Sequence, residues 1–148
     1  MIPRQASETL RRLSRGFPVL AITGPRQSGK TTLARATFTD KPYVSLESPD
    51  TRGFAESDPR AFLAGFPEGA ILDEVQRTPD LFSYLQGVVD EDPRMGRFIL
   101  TGSQQFDLRS RITQSLAGRV GLVHLLPFSQ AELRHTPTPP ADVETALF

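Results

Sequence analysis

The chain has 148 residues, 38% of them apolar and 23% charged, which is one domain's worth of globular sequence and excludes a disordered chain. Lys plus Arg and Asp plus Glu are 17 each, so net charge offers no case for nucleic acid or an anionic membrane as partner. The lack of cysteine removes disulfides, thiol nucleophiles and Cys-ligated zinc, and two histidines do not make a metal cage. No run nears the roughly 18 apolar residues of a membrane span, and no signal-peptide core opens the chain, so a cytosolic setting is expected.

In chain order, Arg4, Arg11, Arg12 and Arg15 fall on an N-terminal helix whose Leu10, Leu13 and Phe17 form a packing face, leaving the arginines as a solvated face. Short apolar runs then alternate with helical patterns. Strands are predicted at 17–23, 43–47, 70–75, 97–101 and 120–126, most without polar alternation, as in strands buried on both faces. Helices are predicted at 30–38, 59–64, 79–89 and 108–117. Asp58-Pro59 and Thr78-Pro79 each place a capping side chain before an N1 proline. Leu81, Leu85, Val88 and Val89 form one helical stripe, and Leu108, Ile112 and Leu116 another. The class is α/β. His124 lies in the last strand, where it reads as a satisfied core or sheet-edge histidine.

Gly24-Pro25-Arg26-Gln27-Ser28-Gly29-Lys30-Thr31 matches G-x-x-x-x-G-K-S/T between an apolar strand and a helix, which is the context a phosphate-binding P-loop requires. Glycines at both ends let successive N–H groups surround a phosphate at a helix N-terminus. Lys30 would reach the β- and γ-phosphates, Thr31 would turn its hydroxyl to Mg²⁺, and Thr32 would lie near the α-phosphate. Arg26 either approaches the phosphates or points to solvent or a neighbouring subunit.

A P-loop needs an acidic metal partner on another strand, and residues 70–74 and 88–91 compete for that role. The second set closes a helical stripe, whereas Asp73 follows a short apolar strand and is the better metal ligand. Glu74 beside it would polarise an attacking water, which favours hydrolysis over phosphorylation of a small molecule. The strand at 97–101 ends in Gly102-Ser103-Gln104, at the edge where open α/β sheets bind ligands. In P-loop ATPases with an extra strand between the two motif strands, that position carries a polar sensor of the γ-phosphate. Ser103 is the first choice for it and Gln104 the second.

The strings Ile2-Pro3-Arg4, Gly24-Pro25-Arg26-Gln27, Ser57-Asp58-Pro59, Ile71-Leu72-Asp73-Glu74-Val75-Gln76, Leu100-Thr101-Gly102-Ser103-Gln104, Ser115-Leu116-Ala117-Gly118-Arg119 and Pro127-Phe128-Ser129 together resemble the AAA-type P-loop ATPase domain of a large prokaryotic family of the AAA+ superfamily. Its members usually continue into a C-terminal domain with a restriction-nuclease-like fold. The resemblance implies a P-loop NTPase three-layer sandwich with a five-stranded parallel sheet in the order 5-1-4-3-2. It also implies ATP as nucleotide and Arg119 as an arginine finger or sensor. From the sequence alone, Arg119 equally reads as a cation at a helix C-terminus after Gly118.

The core is expected at residues 1–135. Ser129 to Glu132 spell a capping box, after which Pro137, Pro139 and Pro140 break the chain, so 136–148 reads as a Pro-rich linker opening a missing C-terminal region. The functional expectation is Mg²⁺-dependent ATP binding and hydrolysis by the N-terminal part of a larger protein that can form a homo-oligomer. A nucleotide-gated interaction switch and a small-molecule kinase are the alternatives.

Overall fold

The computed structural model describes residues 4–25, 29–103, 110, 116–125 and 143–147, with backbone alone for 4, 5 and 143–147. The apolar runs become β1 (Val19–Thr23), β2 (Tyr43–Ser45), β3 (Ala70–Asp73), β4 (Phe98–Gly102) and β5 (Val120–Leu125). They run parallel in the order β2-β3-β4-β1-β5, the implied order read from the other side. Val143–Leu147 adds a sixth strand, β6, antiparallel to β5 at the sheet's edge, where the sequence indicates only a new beginning after the prolines.

Strand residues alternate between two covered faces, which explains runs with no polar alternation. Val19, Ala21, Ala70, Leu72, Phe98 and Leu100 pack with Ala55, Phe62, Leu63, Phe82 and Leu85. These come from α3 (Pro49–Ser57), α4 (Pro59–Ala64) and α5 (Leu81–Glu91). Leu20, Ile22, Ile71 and Ile99 point the other way, onto Leu10, Leu13, Leu33 and Ala34 of α1 (Arg4–Ser14) and α2 (Lys30–Thr37). The result is the three-layer sandwich. Gly69, at φ 92°, lets β3 start tight against β4, since a Cβ there would stand 1.6 Å from the Arg97 carbonyl oxygen.

Local chemistry shifts some boundaries. Asp58 caps α4 as expected, its Oδ1 accepting from the Ala61 N–H at 3.2 Å. Thr78 does not cap α5. A 3₁₀ turn at Val75–Arg77 draws both its N–H and its hydroxyl to the Val75 carbonyl, and α5 starts at Leu81 after Asp80. Helix α3 has no apolar stripe, burying only Ala55, so periodicity does not reveal it. Among the described residues no helix is long and apolar enough to cross a membrane.

Candidate functional site

The C-terminal ends of β1, β3 and β4 lie side by side, and the candidate residues gather there. After β1, Gly24 and Pro25 lead into the loop whose Arg26, Gln27 and Ser28 lie outside the described residues. Gly29 ends it in the left-handed region, at φ 84° and ψ 13°, directly before α2. Gly29 has no side chain to cap α2, so the first-turn N–H groups of the helix are not satisfied by an N-cap side chain. Lys30 is buried at 4% exposure, and its Nζ donates to the Pro25 carbonyl at 3.4 Å.

Asp73 shares its strand parity with Ile71 and therefore points to the α2 side of the sheet. There the Thr31 hydroxyl donates to Oδ1 at 2.9 Å, and the Thr101 hydroxyl of β4 donates to the same oxygen. Tyr43 of β2 donates to Oδ2 at 2.6 Å. Burial, and donation to this carboxylate, push the Tyr43 phenol up to about 12. The Arg35 guanidinium lies over the same ring, 4.4 Å from its centroid.

Glu74 ends the strand because its backbone turns into the left-handed region, φ 60° and ψ 49°, alone among the described non-glycine residues. Such a conformation costs of order 1–3 kcal/mol and persists only where neighbours enforce it. Here the Glu74 N–H donates to Thr101 Oγ1 at 3.2 Å. Glu74 Oε1 accepts from Gln76 Nε2 at 2.6 Å and from the Ser103 hydroxyl at 3.1 Å. Gln76 Nε2 also donates to Ser103 Oγ at 3.3 Å.

Gly29, Lys30, Thr31, Thr32, Glu47, Asp73 and Glu74 line one cleft of about 380 Å³. Asp73 and Glu74 are 5% and 7% exposed, yet neither has an ion-pair partner among the described residues. Their hydrogen bonds come from neutral donors alone, so the charge of two adjacent buried carboxylates is left for a cation to balance. Glu47 stands 3.6 Å from Arg77 across the rim. Among the described residues no three His, Cys, Asp or Glu side chains form a metal cage. Thr31 Oγ1 and Asp73 Oδ1, 2.9 Å apart in this cleft, are oxygens of the kind a hard cation takes.

The structure thus brings Lys30, Thr31, Thr32, Asp73, Glu74 and Ser103 to one edge. It does not bring Arg119 there. Val120 pairs in register with Val19, at the start of β1, so Arg119 sits at the opposite edge, roughly 20 Å along the strands from the P-loop. Its Nε and Nη2 engage both carboxylate oxygens of Asp90, at 2.6 and 3.1 Å, and its Nη1 donates to the Ala117 carbonyl at 2.8 Å. This pairing holds the Asp90 carboxyl below its usual range. An arginine finger acting on its own chain's nucleotide is therefore ruled out by strand direction. Asp90 and Glu91, the rival acidic pair, close α5 as their stripe indicates. Gln104, residues 108, 109 and 111–115 of the fourth predicted helix, and the 129–132 capping box lie outside the described residues.

Sequence reasoning missed Tyr43, Thr101 and Gln76, which act on residues 27 to 30 positions away or through a turn absent from periodicity. The one available signal was Gln76 within the string Asp73-Glu74-Val75-Gln76.

Residues 16–134 match the protein family described as AAA domain. Two uncharacterized proteins, Rv2008c of Mycobacterium tuberculosis and Mb2031c of Mycobacterium bovis, are each 40% identical over 123 residues, covering 82% of this chain and 28% of theirs. The chain thus spans little more than a quarter of their length. Among solved structures, the Walker-type ATPase PABY2304 of Pyrococcus abyssi superposes with a TM-score of 0.62 at 20% identity, covering 86% of this chain and 54% of that one. A DNA replication initiation factor superposes at 0.50 and 18% identity, covering 81% and 44%. At these identities the likeness is one of fold.

Proposed function

Because the chain belongs to the family of AAA domains, we propose that its cleft binds ATP with Mg²⁺ and hydrolyses the nucleotide. The observation that carries this reading is the meeting, in one cleft, of the buried Lys30 and the Thr31–Asp73 hydrogen bond with the cation-free Glu74. Backbone N–H groups at Gly29, Lys30 and Thr31, at the N-terminus of α2, would receive the phosphates, and Lys30 would face the β- and γ-phosphates. Thr32 lies toward the α-phosphate. Thr31 and Asp73 would hold Mg²⁺, which would supply charge neutralisation at the phosphate oxygens.

In the hydrolytic step, water oxygen forms a bond to the γ-phosphorus while the bond from that phosphorus to the bridging oxygen breaks. The electron pair leaves with ADP, and the water's proton passes to Glu74. Ser103, hydrogen-bonded to Glu74, would serve as the sensor of the γ-phosphate. A cytosolic setting supplies both ATP and Mg²⁺, and a homo-oligomer is the assembly proposed.

Phosphate release with ATP as sole substrate tests the reading. Glu74→Gln should retain ATP and lose about 10²–10⁴-fold in rate. Turnover only with an added acceptor would mean a kinase, and nucleotide-dependent assembly without turnover would mean a switch.

A further inference from the structure

Gln76 has no part in the phosphate, metal or water roles above, yet it makes the shorter of the two hydrogen bonds to the Glu74 carboxylate. It sits on the 3₁₀ turn and reaches back two residues, so that Nε2 bonds Glu74 Oε1 at 2.6 Å. The same nitrogen reaches Ser103 Oγ, which itself donates to Glu74 Oε1, closing a three-membered ring of hydrogen bonds. The two that reach Glu74 fall on the same carboxylate oxygen. Oε2 has no hydrogen-bond partner among the described residues.

The ring carries a liability of its own. Gln76 Oε1 is buried and has no partner among the described residues. Turning the amide over would give that oxygen neighbours, but would press it against a carboxylate, so the orientation with the nitrogen toward Glu74 is forced. A leucine at this position would fill the same space with no orphaned acceptor. Retaining glutamine makes sense where the donor it presents to Glu74 matters to chemistry rather than to folding.

We infer that Gln76 is a positioning residue: its amide and the Ser103 hydroxyl clip one oxygen of Glu74 and leave the other as the acceptor for the water's proton. The inference rests on the proposed ATPase reading and adds to it the group that aims the base. Glu74 already stands on a left-handed backbone, so its direction is set by the Thr101 bond at the main chain and by this clip at the carboxylate. Two fixed ends orient a side chain that would otherwise sample several rotamers.

Steady-state ATP hydrolysis by the chain carrying Gln76→Leu, alone and combined with Glu74→Gln, tests the inference. Gln76→Leu should lower kcat by about 10–10²-fold, the scale of a misaimed group, with KM and the affinity for a non-hydrolysable ATP analogue unchanged. Its thermal midpoint should change little, because removal of the buried orphan acceptor offsets the lost donation to Glu74. In the Glu74→Gln background the second substitution should cause no further loss, since Gln76 acts only through Glu74. Gln76→Met serves the same comparison if Gln76→Leu does not fold.

A wild-type or raised kcat in Gln76→Leu, beside a slow Glu74→Gln, overturns the positioning role and leaves the base assignment standing. A rise would mean that the clip restrains Glu74 instead of aiming it. A wild-type rate in Glu74→Gln overturns the base assignment and this inference with it, whereas no phosphate release by the unmutated chain overturns the ATPase reading itself. Losses that multiply in the double variant would mean that Gln76 acts by another route.

Discussion

Thr101→Val tests whether the fold and the site share one hydrogen-bond junction. Thr101 is fully buried at the end of β4, where its hydroxyl donates to Asp73 Oδ1 and accepts from the Glu74 N–H. Valine keeps the volume, so no cavity forms, but Asp73 loses a donor and the Glu74 N–H is left buried without an acceptor. A lost bond to a charged group and an unsatisfied buried donor each carry about 1–3 kcal/mol, and because they share one hydroxyl the combined loss is about 2–4 kcal/mol. Against a typical total of about 5–15 kcal/mol this is severe, and at about 2–4 °C per kcal/mol the thermal midpoint should fall by about 4–16 °C. Thr101→Ser keeps the hydroxyl and removes one buried methyl, so it should cost only about 1 kcal/mol. Urea unfolding of both variants, with an unchanged denaturant slope, provides the comparison. If Thr101→Val were as stable as Thr101→Ser, the junction would contribute nothing and the explanation given for Glu74's backbone would be wrong.

Lys30→Ala should abolish MgATP binding in titration calorimetry while the chain stays folded, and undiminished affinity would remove the P-loop from the phosphate site. Tyr43 donates as the neutral phenol, whose folded-state value of about 12 exceeds the usual 10.0. Its contribution to stability is therefore complete below about pH 10 and is lost as pH rises toward 12, and Tyr43→Phe should lack that alkaline loss. With two tyrosines in the chain, the phenolate absorbance missing from Tyr43→Phe isolates this group, and a midpoint at the ordinary value would contradict the Asp73 contact. Arg119→Ala should leave phosphate release unchanged and alter stability by no more than about 1 kcal/mol, the scale of an exposed ion pair. A loss of tenfold or more, restored by mixing with Lys30→Ala chains, would instead show Arg119 serving a neighbouring copy's nucleotide.

The sheet was legible because strands buried on both faces leave continuous apolar runs, and Val19 to Ile22 or Phe98 to Leu100 admit little else. Asp73 was legible for the same reason, as the first charge after such a run. Helix α3 was not, since a helix that buries one alanine has no stripe to read. Thr78 misled because a cap depends on which carbonyls lie nearby, and the turn at Val75 claims it first. Tyr43, Thr101 and Gln76 were invisible for a different reason: each matters through a partner that only strand order brings close. Strand direction decides Arg119 in the same way, because its sequence neighbours do not tell which edge of the sheet it occupies.

The two edges differ in how they treat charge, and that difference predicts a ligand dependence. At the edge where the strands begin, carboxylates meet guanidinium groups: Asp90 with Arg119, and both Glu68 and Asp92 with Arg94. At the edge where they end, Glu47 meets Arg77 at the rim, but Asp73 and Glu74 are more deeply buried and, among the described residues, are met only by hydroxyl and amide donors. Buried carboxylates without a cation destabilise the chain they belong to, and one lysine beside them cannot offset a polyphosphate's charge as well. Each of Mg²⁺ and ATP therefore brings the charge that the other needs. Together they should stabilise the fold far more than either does alone. At a hundred times its Kd, a ligand binding only the folded state adds about 2.7 kcal/mol, which at about 2–4 °C per kcal/mol raises the midpoint by about 5–11 °C. Thermal unfolding with MgATP, with ATP and chelator, and with Mg²⁺ alone measures the coupling. Asp73→Asn should shrink the MgATP shift toward that of ATP with chelator, because it removes the charge that calls for the metal. Equal shifts from ATP with and without Mg²⁺ would refute the coupling and, with it, the metal role assigned to Thr31 and Asp73.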